Sequence, residues 1–483
     1  AGEDRGARPL CRWQGTARPL VVSDRGTRVD MRGFGWTHAG RAQPALRNID
    51  LSIAPGERVL LCGDSGSGKS TLVAALAGVL GGDDEGTQHG EIILEDAAGN
   101  REAPGRTIPV GMVLQDPDSQ VICSRVGDDV AFGCENLGVE RSELWERVNR
   151  ALDMVGLDVD HPTARLSGGQ KQRLALAGVM AMGAGLILLD EPTANLDPQG
   201  SREVAGAVAA VAKETGATLV VVEHNYEYWA DILDRAIVLE HGELVEDATP
   251  AAVVARRQIT GLPHARSVTS KEDAMWCNNL VTRFGPPRTY QLPAGASTVV
   301  SGANGSGKTT WLMTMAGLLP AQSGEIGLSD SVRDGLSGSP AKWPSRELAR
   351  HIGFVFQNPE HQFVARSVHE ELRVSARARG VEPPEQRISE LVDRLRLGQL
   401  LEANPFAHYA GEHRRLSVAT ALVTAPAVVL LDEPTFGQDP STFAELVRLL
   451  RELADSGVTV ASISHDPYFI SALGDHRIEV SSA

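Results

Sequence analysis

Short apolar runs, bounded by glycine and polar residues, recur along the chain and set its organisation. Val59–Cys62 and Thr298–Ser301 are β-rich runs, and each leads straight into a glycine-rich segment. Leu186–Leu189 and Val428–Leu431 are wholly apolar, the pattern of strands buried on both faces of a parallel sheet. Thr218–Glu223 and Thr459–Ser464 repeat it. Strands of this kind, separated by longer stretches, predict an α/β fold with a mainly parallel sheet. The longest apolar stretch, near Leu174–Leu189, is broken by Gly178, Gly183 and Gly185, so it reads as core rather than as a membrane span.

The runs come in pairs because the chain repeats itself. Gly63-Asp-Ser-Gly-Ser-Gly-Lys69-Ser70 returns as Gly302-Ala-Asn-Gly-Ser-Gly-Lys308-Thr309, with the lysines 239 residues apart. Leu188-Leu-Asp190-Glu191-Pro-Thr returns as Leu430-Leu-Asp432-Glu433-Pro-Thr, 242 residues on. Gln115 returns as Gln357 and His224 as His465. Motifs in one order at nearly one offset indicate a duplicated domain. The expected layout is a tail at 1–25, a first domain at 26–250, a polar connector with Pro263 at 251–274, and a second domain at 275–483.

Composition narrows the function classes. With 483 residues, 42% hydrophobic and 22% charged, the chain suits an ordinary folded protein of two or three domains. A formal net charge of −16 argues against general nucleic-acid binding. Cys11, Cys62, Cys123, Cys134 and Cys277 are scattered with no CxxC pair, which disfavours a disulfide framework or zinc site and suits a reducing cytoplasm. No signal-peptide pattern is visible, and the chain opens on Ala1 rather than Met, which leaves a trimmed or longer product open.

The glycine segments carry the chemistry. G-x-x-x-x-G-K-[ST] after a strand is a phosphate-binding loop: glycines turn backbone N–H groups toward phosphates, and the following helix adds its positive end. The candidate phosphate ligands are Gly63, Asp64, Ser65, Gly66, Ser67, Gly68, Lys69, Ser70 and Thr71 in the first copy. In the second they are Gly302, Ala303, Asn304, Gly305, Ser306, Gly307, Lys308, Thr309 and Thr310. Lys69 and Lys308 would reach the β- and γ-phosphates, and Ser70 and Thr309 would offer a hydroxyl to Mg²⁺. Asp190 and Asp432 close apolar strands, where a carboxylate can hold Mg²⁺ through water. Glu191 and Glu433 follow them, placed to orient or deprotonate an attacking water.

Leu166-Ser167-Gly168-Gly169-Gln170 stands ahead of Asp190, with Ser167 23 residues before it. With this LSGGQ sequence the chain resembles the ABC ATPases over nearly its whole length. The resemblance implies two nucleotide-binding domains, each with a mainly parallel sheet core, an antiparallel β part and a helical signature subdomain. It implies that Ser167, Gly168, Gly169 and Gln170 bind the γ-phosphate of an ATP held by the other domain. Gln115 and Gln357 would sense Mg²⁺ and water and link to a transmembrane partner, and His224 and His465 would contact the γ-phosphate. Asp197 and Asp439 would cross the interface between the copies, and Trp36 and Phe284 would stack on adenine.

A finer likeness follows the glutamines. Gln115-Asp-Pro-Asp-Ser-Gln120, Gln357-Asn-Pro-Glu-His-Gln362, Asp128-Asp-Val-Ala-Phe-Gly133 and Pro434-Thr-Phe-Gly-Gln-Asp439 resemble segments of the ATPases of energy-coupling factor (ECF) transporters. In that family two ATPases pair beneath a transmembrane T component and drive a substrate-binding S component that takes vitamins or metal ions. The implied place is peripheral, on the cytoplasmic face of the membrane. The other readings are a tandem ATPase of a sugar-type ABC importer, which the Gln-Asp-Pro segment argues against, and a soluble tandem ABC protein acting on ribosomes or DNA. The latter would be expected to carry a long charged linker, a basic arm or zinc cysteines, and the sequence has none of them.

The second copy departs from the pattern. At the signature position it reads His408-Tyr409-Ala410-Gly411-Glu412, so a phenol and an added anion stand where a γ-phosphate is expected. Head-to-tail pairing, as the family implies, would give the Lys308 site the intact Ser167–Gln170 and the Lys69 site the altered Tyr409–Glu412. One strong and one weak ATP site are therefore expected.

Overall fold

The computed structural model describes residues 26–480, apart from 42, 65, 82–84, 195, 225, 258, 407–409 and 425. The anticipated tail therefore lies outside the described residues, as do Ser65, His408 and Tyr409. The first half contains β1 (Arg28–His38), β2 (Leu46–Ile53), β3 (Arg58–Cys62), β4 (Gly86–Glu95), β5 (Arg101–Glu102), β6 (Val110–Val113), β7 (Leu186–Asp190), β8 (Thr218–Val222), β9 (Arg235–Glu240) and β10 (Glu243–Ala248). Its main sheet runs β10-β9-β3-β8-β7-β6. All neighbours in it are parallel except β10, which turns back antiparallel along β9. A second, antiparallel sheet runs β2-β1-β4-β5.

The other half repeats the scheme with β11 (Asp273–Val281), β12 (Arg288–Pro293), β13 (Ser297–Ser301), β14 (Ser323–Leu328), β15 (Ile352–Val355), β16 (Val428–Asp432), β17 (Thr459–Ile463) and β18 (His476–Glu479). Its main sheet is β15-β16-β17-β13-β18, parallel throughout, beside an antiparallel β12-β11-β14.

The wholly apolar runs become the central strands because both faces of each sheet are covered. Leu60, Ile187, Leu189, Leu219 and Val221 point into one core, shared with the helical region. Their neighbours Val59, Leu61, Leu186, Leu188, Val220 and Val222 point into the other, beneath the antiparallel sheet and the helix Lys69–Ala77. The two-residue period of a strand thus feeds two cores, and alternation of polar and apolar residues disappears.

Helices Val126–Asn136, Arg141–Val155 and Gly168–Ala181 form the helical part of the first half, and Val368–Arg379, Glu385–Arg394 and Ala410–Val423 that of the second. One carboxylate fixes the loop entering each group. Asp129 accepts the N–H groups of Ile122 and Cys123, both at 2.7 Å. Buried Glu371 accepts those of Val364 at 2.9 Å and Ala365 at 2.7 Å.

The polar connector has regular structure at its start. Its first residues belong to a helix, Pro250–Arg256, started by Thr249 as cap and by proline at the first position. Further on it lies against the second half. Ile259 and Leu262 pack on that core, Ala265 N–H donates to Ser471 O, and Arg266 pairs with Asp455 at 2.7 Å. Among the described residues no helix is long and apolar enough to cross a membrane.

Candidate functional site

Each glycine loop is backbone geometry that only glycine adopts comfortably. Gly63, Gly66 and Gly68 have φ of 151°, 79° and 104°, and Gly302, Gly305 and Gly307 have 139°, 77° and 84°. A Cβ on Gly63 would sit 2.3 Å from Leu239 O, so the loop is pressed against β9. A Cβ on Gly66 or Gly305 would meet nothing within 4 Å, which marks the open mouth of each cradle. The helices that follow start on Gly68 and Gly307 with no side-chain cap, leaving their first N–H groups for a ligand. Ser67 Oγ and Ser306 Oγ are buried without a hydrogen-bond partner among the described residues.

Lys69, only 6% exposed, donates to Gly63 O at 2.8 Å and Asp64 O at 2.9 Å. Lys308 does the same to Gly302 O at 2.7 Å and Ala303 O at 2.9 Å. Burial pulls both ammonium groups below the usual lysine range, against the pull of nearby carboxylates such as Glu191 and Glu433. A triphosphate would satisfy them.

Asp190 closes β7 and Asp432 closes β16. Ser70 bonds to Asp190 and Thr309 to Asp432. Burial, with Glu191 adding, pushes Asp190 up to about 6, and burial likewise raises Asp432. Asp432 Oδ2 has no hydrogen-bond partner among the described residues. A hydroxyl and a carboxylate oxygen side by side, one of them unsatisfied, fit a hard divalent cation such as Mg²⁺.

The glutamates that follow are held at positive φ, 48° for Glu191 and 49° for Glu433, although neither is glycine. Their surroundings differ. Glu191 accepts Gln115 Nε2 at 2.6 Å and stands 3.2 Å from His224 Nε2. Burial alone would raise it, but the charge and hydrogen bond of His224 keep it below the usual range. Glu433 has His465 Nε2 at 3.8 Å, beyond hydrogen-bond reach. Burial, with Asp432 adding, pushes Glu433 up to about 8 against the opposing charges of Lys308 and Arg414. Gln357, counterpart of Gln115, is exposed.

Ser167 caps the helix Gly168–Ala181 in a reciprocal box: Ser167 N–H donates to Gln170 Oε1 at 2.8 Å, and Gln170 N–H to Ser167 Oγ at 3.3 Å. In the second copy, Glu412 lies 3.9 Å from Arg415, and Gly411 O accepts Gln438 Nε2 at 3.1 Å. The aromatic candidates separate. Phe284 is 55% exposed with the Arg283 guanidinium over its ring, an open face for a base. Trp36 is corrected: only 3% exposed, it sits in the core with its indole N–H toward His38, and its ring has no open face to stack on adenine.

Across the seam each loop meets the other half. Asn304 N–H points to Asp197 Oδ2 at 3.4 Å, and Ser441, beside Asp439, stands 3.5 Å from Asp64. A Cβ on Gly437 would come within 3.7 Å of the Gln115 amide. Sequence reasoning missed the two side chains that brace the glutamine segments from behind. Gln172 reaches Leu114 O and Gln115 O, and Arg414, at the matching place, reaches Phe356 O and Gln357 O. Their shared position, four residues past Gly168 and Ala410, was the available signal.

A family profile described as ABC transporter matches residues 46–194 and again 287–436. The chain belongs to the ABC transporter family. This ABC protein is 33% identical over 479 residues to one of Bacillus subtilis (strain 168) provisionally named an HMP/thiamine import ATP-binding protein, over 90% of this chain and 86% of that one. A Methanosarcina acetivorans protein provisionally named an ABC transporter ATP-binding protein is 31% identical over 91% of this chain and 86% of its own. The solved archaeal ribosome recycling factor aABCE1, in complex with the ribosomal stalk protein aP1, superposes with a TM-score of 0.61. It covers 93% of this chain and 87% of that one at 18% identity, and so shares the fold alone. The two expected ABC nucleotide-binding domains are therefore present, and the ABC protein binds ATP and is an ATPase.

Proposed function

We propose that this ATPase is the motor subunit of an ECF-type importer, working peripherally on the cytoplasmic face of the membrane beneath T and S components. The observation that carries this reading is a matched pair of apolar side chains. In each half the glutamine segment makes a short 3₁₀ turn capped by Asp116 or Asn358. It then presents an apolar residue to solvent: Ile122, 62% exposed, and Val364, 72% exposed. Carboxylates hold both loops in place, so each copy presents an exposed apolar side chain seven residues past its glutamine, suited to helices of a membrane partner. The HMP/thiamine import in the Bacillus relative's provisional name supports a vitamin over a metal ion as the substrate, which the S component would choose.

Each ATP would lie with its phosphates in one glycine loop, against Lys69 or Lys308, and its γ-phosphate toward the other half. Mg²⁺, held by Ser70, Asp190 and Gln115 or by Thr309, Asp432 and Gln357, would neutralise phosphate charge there. Glu433 would take the proton of the attacking water, with His465 toward the γ-phosphate and Ser167–Gln170 supplied across the seam. Glu191 and His224 would serve the other site, to which head-to-tail pairing would give the altered signature sequence of the second copy, and that site would turn over slowly. Closure on ATP and opening after hydrolysis would move the docked membrane helices. Purifying the tagged chain from membranes and identifying its companions tests the reading: T- and S-type membrane proteins are expected, and ribosomal proteins in their place would overturn it.

A further inference from the structure

The helix Arg141–Val155 ends on Gly156, which has a φ of 66°. Gly156 N–H donates to Asp153 O and Leu157 N–H to Leu152 O, the bond pattern of a glycine-capped helix end. The helix Glu385–Arg394 ends by the same pattern, Arg396 N–H to Asp393 O and Leu397 N–H to Val392 O. Arg396 thus takes the glycine position, at a φ of 53°. A residue with a side chain is strained there.

The side chain crosses the seam. Arg396 Nη1 stands 3.5 Å from Asp64 Oδ2, in the first phosphate loop. The other oxygen of Asp64 is 3.6 Å from Nη1 of Arg257, which ends the helix Pro250–Arg256 and also pairs with Glu240 at 2.6 Å. The other seam has neither member of this pair: the second loop carries Ala303 where the first has Asp64, and the first half carries Gly156 where the second has Arg396. Asp64 places a negative charge on the rim of a loop built to receive phosphates, while its carbonyl steadies the Lys69 ammonium. Left alone, that carboxylate would oppose a triphosphate.

We propose that Arg396 is a positioning residue for the first ATP site, acting through Asp64. Its guanidinium shares with Arg257 the neutralisation of the carboxylate, and it alone of the two ties the first phosphate loop to the second half, on the seam where the signature sequence is altered. This rests on the reading of the Lys69 loop as an ATP site.

The test uses the full chain carrying Lys308→Ala, so that binding reports the first site, titrated with a fluorescent ATP analogue and Mg²⁺. Arg396→Gly is expected to weaken binding about three- to fivefold, the scale of one exposed ion pair, and Arg396→Lys to restore most of it. In an Asp64→Asn background, Arg396→Gly is expected to change nothing. Unchanged affinity in the single variant overturns the proposal. An equal loss in the Asp64→Asn background also overturns it, since Arg396 would then act on the nucleotide itself. Arg396→Gly should melt no lower than its parent because it relieves a strained backbone; a lower Tm would make the residue structural and end the proposal. No analogue binding at all to the Lys308→Ala protein would remove the reading of the first site, and this inference with it.

Discussion

His224 Nε2 lies 3.2 Å from Glu191 Oε1, while the Gln115 amide holds the other carboxylate oxygen at 2.6 Å. A carboxylate engaged on both oxygens is poorly placed to accept a proton from water. Glu433 stands 3.8 Å from His465, beyond hydrogen-bond reach, which suits it better to the proposed role of proton acceptor. Glu433→Gln is therefore expected to lower steady-state ATPase by about 10²-fold or more, and Glu191→Gln by less than about tenfold. Equal losses in the two single variants would remove the asymmetry.

The same contrast sets opposite pH effects on stability. A carboxyl whose folded pKa is raised stabilises fully below its unfolded value, near 4.5, and loses that contribution as pH rises through the folded value, about 8 for Glu433. Glu433→Gln should therefore raise Tm in the nucleotide-free protein by a few degrees at pH 8.5 and by much less at pH 5. Glu191 is depressed, so its contribution is present above its unfolded value and lost as pH falls through the folded one. Glu191→Gln should lower Tm near pH 7, with the gap closing toward pH 4. Calorimetry without magnesium across this range checks both signs.

Glu371 is buried and accepts two backbone N–H groups at the entrance to the second helical region. Glu371→Ala would strand both donors, and a loss of about 1–3 kcal/mol is expected in denaturant unfolding. Asp129→Ala, in a more open setting, should cost less.

Ile122 and Val364 make the opposite case, since their side chains already face water. Ile122→Ser with Val364→Ser should leave unfolding free energy within about 0.5 kcal/mol. Membrane proteins should no longer copurify with the variant, while the ATPase of the isolated chain is kept. Retained copurification would mean that the partner docks elsewhere.

Much of this was legible in the residues. Leu186–Leu189 and Val428–Leu431 announced buried strands because a strand covered on both faces needs no polar position. The glycine loops were legible because their φ values admit almost no other residue. What stayed hidden depended on distant chain segments meeting. Trp36 is buried in a core gathered from many chain segments, on a strand flanked by β2 and β4. The shared role of Asp129 and Glu371 is masked by their different side chains. Arg396 in a glycine position could be found only by matching hydrogen bonds, since the intervening sequence in the two copies differs in length.

Glu191 and Glu433 both keep a left-handed backbone, a conformation that disfavours a long side chain by roughly 1–2 kcal/mol. A chain tuned only to survive heating would set glycine or asparagine at those two turns. This one forgoes that gain twice, once in a half where turnover is slow by the reading above. A bend that holds an acid beside its own phosphate loop is thus demanded of both halves, whatever their share of the hydrolysis.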